Sequence, residues 1–98
     1  MQEQGAILLD VREDAEWRTG HAPRARHISL RQLPSRLCDV PSNRTVITVC
    51  RSGHRSAQAA ALLARDGRDS VNLAGGMHAW ARAGLPVVAS GGRTGYVA

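Results

Sequence analysis

Short apolar runs alternate with helix-forming stretches along this chain, and glycine or proline stands near most of the changes. Ala6-Ile7-Leu8-Leu9 predicts a short strand ending at Asp10, and Ser70-Val71-Asn72-Leu73 predicts another. Thr45-Val46-Ile47-Thr48-Val49 is β-branched throughout and short, the pattern of a buried parallel strand. His27-Ile28-Ser29 adds a shorter strand. Between these runs, Glu13 to Arg18 predicts a short helix, with acidic residues in its first turn and Gly20 to end it. Leu30 to Leu37 predicts a second around Pro34. Ser56 to Asp66, rich in Ala, Leu and Arg, predicts a third, with its first turn at His54 to Ala57 and Gly67 as terminator. Gly75-Gly76 leads into a fourth, Met77 to Ala83, which Gly84 ends and Pro86 prevents from continuing. His21 to Arg26, around Pro23, and Pro41 to Arg44 read as a loop and a turn. Strands alternating with helices predict a parallel α/β sheet with crossover helices and a site beyond the carboxyl ends of the strands.

Ninety-eight residues make one domain, expected over 1–89. Ser90 to Ala98 carries three glycines and no period, and is expected to be a flexible tail or the start of a linker. At 43% hydrophobic and 21% charged, the composition is that of a folded globular protein. With aromatics at 3% and no Phe, the core must rest on Ala, Val, Leu and Ile, and the stacking surface used by single-strand binders is poorly supplied.

All 13 basic residues are Arg, spread along the chain, so the net charge of +5 makes no nucleic-acid patch, and no nucleic-acid partner is expected. No run reaches the ~18 apolar residues of a membrane helix, and no membrane partner is expected. Cys38 and Cys50 form neither a disulfide framework nor a C-x-x-C pair, which points to a reducing, cytoplasmic setting. Together with His21, His27, His54 and His78 they lack zinc-finger spacing, so neither a metal nor another cofactor is expected. His21 reads either as a general base or, more simply, as the residue that holds its turn by hydrogen bonds. Cys38 reads as a packing residue, Trp80 as a core side chain of its helix, and Trp17 as core in preference to a ligand wall.

The chemistry concentrates in Cys50-Arg51-Ser52-Gly53-His54-Arg55-Ser56, where a strand end meets a helix start. Free N–H groups of a first helical turn and the positive end of the dipole both favour an anion there. Arg51 and Arg55 add permanent charge, and Gly53 lets the backbone curl around whatever Cys50 carries. Such surroundings favour the thiolate, which is the nucleophile. Asp10 and Arg12, at the end of the first strand, read either as a structural ion pair or as direct participants.

Cys50-Arg51-Ser52-Gly53-His54-Arg55 resembles the C-R-x-G-x-R loop of the rhodanese (sulfurtransferase) family. Leu9-Asp10-Val11-Arg12-Glu13, Glu16-Trp17, Gly20-His21-Ala22-Pro23, Ala25, Ile28, Leu73-Ala74-Gly75-Gly76-Met77 and Ala79-Trp80 extend the likeness in order from about Ile7 to Pro86. The resemblance implies a three-layer α/β fold, a small parallel sheet flanked by helices. Family members carry an opening strand and helix before the L-D-V-R strand. Six residues precede Ile7 here, so this pair is expected to be missing, or the start to belong to a larger protein.

The resemblance also implies a thiosulfate sulfurtransferase, with Cys50 as the persulfide-forming nucleophile and Arg51, Ser52, Gly53, His54 and Arg55 as the substrate-binding loop. It gives Asp10 and Arg12 a supporting role. The partners it implies are a small anionic sulfur donor and a thiol or cyanide acceptor, with a partner domain or acceptor protein as a further expectation. Two other readings stand beside it. One is a persulfide-carrying or regulatory module of a larger protein. The other is a phosphatase or arsenate reductase on the same scaffold, which loop length disfavours. Tyrosine-type phosphatases resemble His-Cys-x5-Arg, whereas Val49 precedes Cys50 here and only four residues separate it from Arg55.

Overall fold

The computed structural model describes residues 5–89, 91 and 93–98. Four strands, β1 (Ile7–Asp10), β2 (Arg26–His27), β3 (Val46–Val49) and β4 (Ser70–Asn72), form one sheet in the order β2-β1-β3-β4. Every neighbouring pair is parallel, and the register sets Asp10 beside both His27 and Val49, and Thr48 beside Asn72. The carboxyl ends of the strands are thereby brought level, with Cys50 following the inner strand β3.

Helices α1 (Asp14–Thr19), α2 (His54–Arg65) and α3 (Gly76–Arg82) complete the α/β order expected from the sequence. On one face of the sheet, Leu9, Val11, Val46 and Cys50 pack with Ala59 and Leu63 of α2 and with Ile28, Leu33 and Val40. On the other, Val49 packs with Ala22 and with Met77 of α3, and Leu8, Leu73, Trp80, Val87 and Val97 close around them. Both faces are therefore covered, which is why the inner strands read as continuous apolar runs. Burying a leucine such as Leu9 or Leu63 contributes roughly 2 kcal/mol. At the end of α2, Gly67 takes φ 83°. Arg68 N–H then reaches Leu63 O and Gly67 N–H reaches Ala64 O, a Schellman closure that satisfies the last carbonyls.

The structure departs from the sequence reading in four places. The helix expected over Leu30 to Leu37 is replaced by two single 3₁₀ turns, Leu33–Ser35 and Leu37–Asp39. Pro34 has no N–H and crowds the preceding turn, so it suits a short turn and not a helix interior. The ladder of β2 ends at His27, although Ile28 and Leu30 still donate N–H bonds to Asp10 O and Val11 O. Cys38 is exposed and not a packing residue, because Leu37 and Val40 take the inward positions of its turn.

The fourth departure is the segment after Ser90, whose described residues lie against the domain. Gly95 N–H donates to Val87 O and Tyr96 N–H to Thr19 O, both at 2.9 Å, while Val97 packs on the Val49–Met77 cluster. A Cβ on Gly20 would stand 2.6 Å from the Tyr96 backbone, and one on Gly95 2.7 Å from Gly20 Cα. These two glycines permit close backbone approach, where composition alone had pointed to flexibility.

Candidate thiolate site

Cys50 is 1% exposed at the end of β3, where the chain turns into α2. Gly53 makes this turn, with φ 109°, and caps the helix. Its N–H donates to Cys50 Sγ at 3.1 Å, and the Ser56 hydroxyl reaches the same sulfur at 3.3 Å. Burial pushes the Cys50 thiol up. The Ser56 hydroxyl and the backbone amides of Ser56, Gly53 and Ser52 pull it down by more, so the thiol lies below its ordinary value. The thiolate is held by oriented donors rather than by one partner charge.

The carbonyl side of the loop is held just as firmly. Met77 N–H donates to Cys50 O at 2.7 Å and His78 N–H to Arg51 O at 2.9 Å, so the first turn of α3 binds the two carbonyls that follow β3. Gly76 is required for this approach, because a Cβ there would lie 2.2 Å from Cys50 O. The L-A-G-G-M segment therefore serves to bring α3 onto the loop.

Of the loop residues singled out in the sequence, Ser52 and Gly53 present amides to Cys50, and His54 opens α2 with its side chain exposed. Arg51 is exposed and donates Nε–H to Ala98 O at 2.7 Å. Arg55, expected to draw a substrate anion, is already paired, its two terminal nitrogens meeting the Glu16 carboxylate at 2.7 and 2.9 Å. This fork holds the Glu16 carboxyl down to about 2, and Glu16 in turn raises Arg55.

Asp10 and Arg12 are fully buried and meet in a bidentate pair, and Arg12 also donates to Gly20 O at 2.7 Å. Neither bonds to Cys50 in the described contacts; they join the end of β1 to the end of α1.

Sequence reasoning missed Glu16 as a partner of the loop, and also Ser56 as a donor and Asn72. The Ser56 hydroxyl is within 2.5 Å of Asn72 Oδ1, and Asn72 Nδ2 donates to Gly53 O at 3.3 Å. The register that sets Asn72 beside Thr48 predicts its nearness to the loop, but only once the strand pairing is known. Trp17 is not in the apolar clusters; its ring stacks with those of His21 and His27, at centroid distances of 3.5 and 4.8 Å. His21 holds its turn as expected, with Nδ1 2.8 Å from Trp17 O and its backbone paired with Val88.

The described residues form depressions away from Cys50. One of about 310 Å³ lies at the amino end of β1, lined by Arg24, Arg26 and Arg44, at the opposite end of the sheet from Cys50. A shallower apolar groove, between Leu73, Trp80 and Leu85, runs beside α3. Among the described residues no cluster of His, Cys, Asp and Glu has the makings of a metal site. No helix among them is long and apolar enough to cross a membrane.

A thiol at the end of an inner parallel strand, met by the amides of a helix start, marks an α/β protein with a thiolate-favouring loop. The family model for the Rhodanese-like domain matches residues 1–83, and the chain belongs to that family. A protein of Allochromatium vinosum named sulfurtransferase is 43% identical over 90 residues, spanning 91% of this chain and 84% of that protein. Among solved structures, a rhodanese-related protein from Thermoplasma volcanium superposes with a TM-score of 0.83 at 29% identity, covering 87% of this chain and 85% of that one. A rhodanese-like domain protein from Staphylococcus aureus gives 0.77 at 36% identity, over 82% and 78% of the two chains.

Proposed function

We propose that the protein is a thiosulfate-type sulfurtransferase acting through a Cys50 persulfide. The observation that carries this reading is the convergence of Gly53 N–H and the Ser56 hydroxyl on Cys50 Sγ at 3.1 and 3.3 Å.

The Cys50 thiolate attacks the outer sulfur of thiosulfate. A Cys50 S–S bond forms, the S–S bond of the donor breaks, and sulfite leaves with its electron pair. The negative charge now sits on the terminal persulfide sulfur, where the amides of Ser52, Gly53 and their neighbours stabilise it as an oxyanion hole does. Cyanide or a thiolate then attacks that terminal sulfur and returns Cys50 to the thiolate. No proton needs to move in the cyanide reaction, which fits a sulfur whose described partners are hydrogen-bond donors. Exposed Arg51 at the loop rim, on a chain of net charge +5, favours the approach of the dianionic donor. Two unpaired cysteines, one exposed, suit the reducing cytoplasm.

The test is an intact-mass spectrum of reduced protein after thiosulfate treatment, with Cys50→Ser alongside. Gain of one dithiothreitol-removable sulfur by the wild type alone is the expected result. Absence of that sulfur, or its presence on Cys50→Ser, overturns the assignment.

A further inference from the structure

The Ser56 hydroxyl carries one proton and faces two acceptors. Cys50 Sγ lies 3.3 Å away and Asn72 Oδ1 within 2.5 Å, and Ser56 itself is fully buried. Asn72 Nδ2 donates to Gly53 O, which fixes the amide with its oxygen toward Ser56. Thr48 Oγ1 donates to Ser56 O at 2.7 Å and pins the backbone that carries the hydroxyl. The only freedom left to this group is rotation of its O–H between the two acceptors.

We infer that Asn72 is a positioning residue that acts through Ser56: it draws the hydroxyl proton away from Cys50 whenever Cys50 Sγ carries no charge, and yields it when the sulfur is a thiolate. The inference rests on Cys50 as the reacting sulfur, as in the proposed function. In the thiol and in the persulfide, the inner sulfur is a weak acceptor and the proton lies on Asn72. In the thiolate, the charge turns the proton to sulfur, and Asn72 loses its bond. Asn72 therefore favours the uncharged inner sulfur, so it opposes over-stabilisation of the resting thiolate and favours the loaded state. A thiolate that is stabilised less is also the better nucleophile.

The titratable and charged groups around Cys50 lie away from Asn72: the Asp10–Arg12 pair at the end of β1, the Glu16–Arg55 pair between α1 and α2, Arg51 on the loop, and His54 and His78 at the starts of α2 and α3. Substituting Asn72 leaves them all in place. Any displacement of the Cys50 titration then reports on the hydroxyl.

The experiment is iodoacetamide alkylation of Cys50 followed by peptide mapping between pH 5 and 9, on wild type, Asn72→Ala, Ser56→Ala and the double variant. Asn72→Ala is expected to move the profile to lower pH and raise the rate near pH 6 about twofold, a modest hydrogen bond's gain in thiolate fraction less the fall in thiolate nucleophilicity. Ser56→Ala is expected to move it to higher pH, and adding Asn72→Ala to that background to change nothing further. An unmoved profile in Asn72→Ala, or the same displacement with and without the Ser56 hydroxyl, overturns the inference. Asn72→Ala is also expected to hold less persulfide at a given thiosulfate-to-sulfite ratio, and equal loading overturns that part. Alkylation reads Cys50 whether or not sulfur is transferred, so a four-variant pattern as expected, with no sulfur gained from thiosulfate, upholds the effect of Asn72 on the thiolate and removes the proposed function together with the loading part.

Discussion

Glu16 and Arg55 meet through a two-point fork, 2.7 and 2.9 Å long, that ties the middle of α1 to the first turn of α2. The Glu16 carboxyl falls from its ordinary 4.5 to about 2, chiefly through the Arg55 hydrogen bonds. A depressed carboxyl stabilises the fold fully above the unfolded value, and this is lost as pH falls from 4.5 toward 2. Glu16→Gln is expected to cost about 1 to 2 kcal/mol at neutral pH, given a partly exposed but bidentate pair. Urea titrations from pH 2 to 7 check this: the variant should lose less stability across the acid window than the wild type. An identical acid slope would remove Glu16 as its source.

The Asp10–Arg12 pair tests a different regime, because both side chains are 0% exposed. Asp10→Ala leaves a buried guanidinium without its carboxylate and is expected to cost about 3 to 5 kcal/mol. Adding Arg12→Met is expected to restore part of that loss. Chemical denaturation of the single and double variants decides; a double variant no more stable than Asp10→Ala alone would mean that the cost comes from packing.

Cys50 and Cys38 set thiolate character against access. Cys50 is almost fully buried among donors, whereas Cys38 is open to solvent. Because the Cys50 thiol lies below its ordinary value, its alkylation rate should level off at a lower pH than that of an ordinary thiol. The ratio of Cys50 modification to that of free N-acetylcysteine in the same reaction is therefore expected to fall as pH rises from 6 to 9. A ratio independent of pH in peptide mapping would show that the cradle does not favour the anion.

Arg51 is exposed, and its Nε–H bonds to Ala98 O. Arg51→Ala is expected to raise KM for thiosulfate several-fold with kcat little altered, and to change stability by no more than about 0.5 kcal/mol. Gly95→Val, whose Cβ would press on Gly20 and Thr19 O, should displace the segment that reaches Arg51 and raise KM together with a lowered Tm. Unchanged KM in both variants would deny Arg51 a part in donor capture.

The strands, the helices α1, α2 and α3, and the loop from Cys50 to Ser56 were all legible in the sequence. Their signals are local: β-branched runs, a clean Ala-Leu-Arg helix, and glycine or proline at most of the turns. Pro34 shows where local reading ends, since an apolar stretch containing it looks helical until the missing N–H is counted. Arg55 shows a different limit. Its charge was evident, but its partner Glu16 lies on another helix, and only the folded chain reveals that the charge is already matched. Ser56 and Asn72 were hidden for the same reason, because strand register and not spacing brings them together. In the segment after Ser90, glycine signalled freedom where Gly20 and Gly95 in fact pack backbone on backbone.

The bonds from Met77 N–H to Cys50 O and from His78 N–H to Arg51 O carry a consequence for the order of assembly. A chain leaving the ribosome presents Cys50 well before the residues that clasp its loop. Until α3 docks, those two carbonyls stand unclasped, and the donors that face Cys50 Sγ, which belong to the loop and to α2, sit on a turn held from one side. The fixing of the loop therefore comes late in synthesis, and a nascent or nicked chain that lacks α3 keeps the cysteine and its donors but loses the clasp on their carbonyl side.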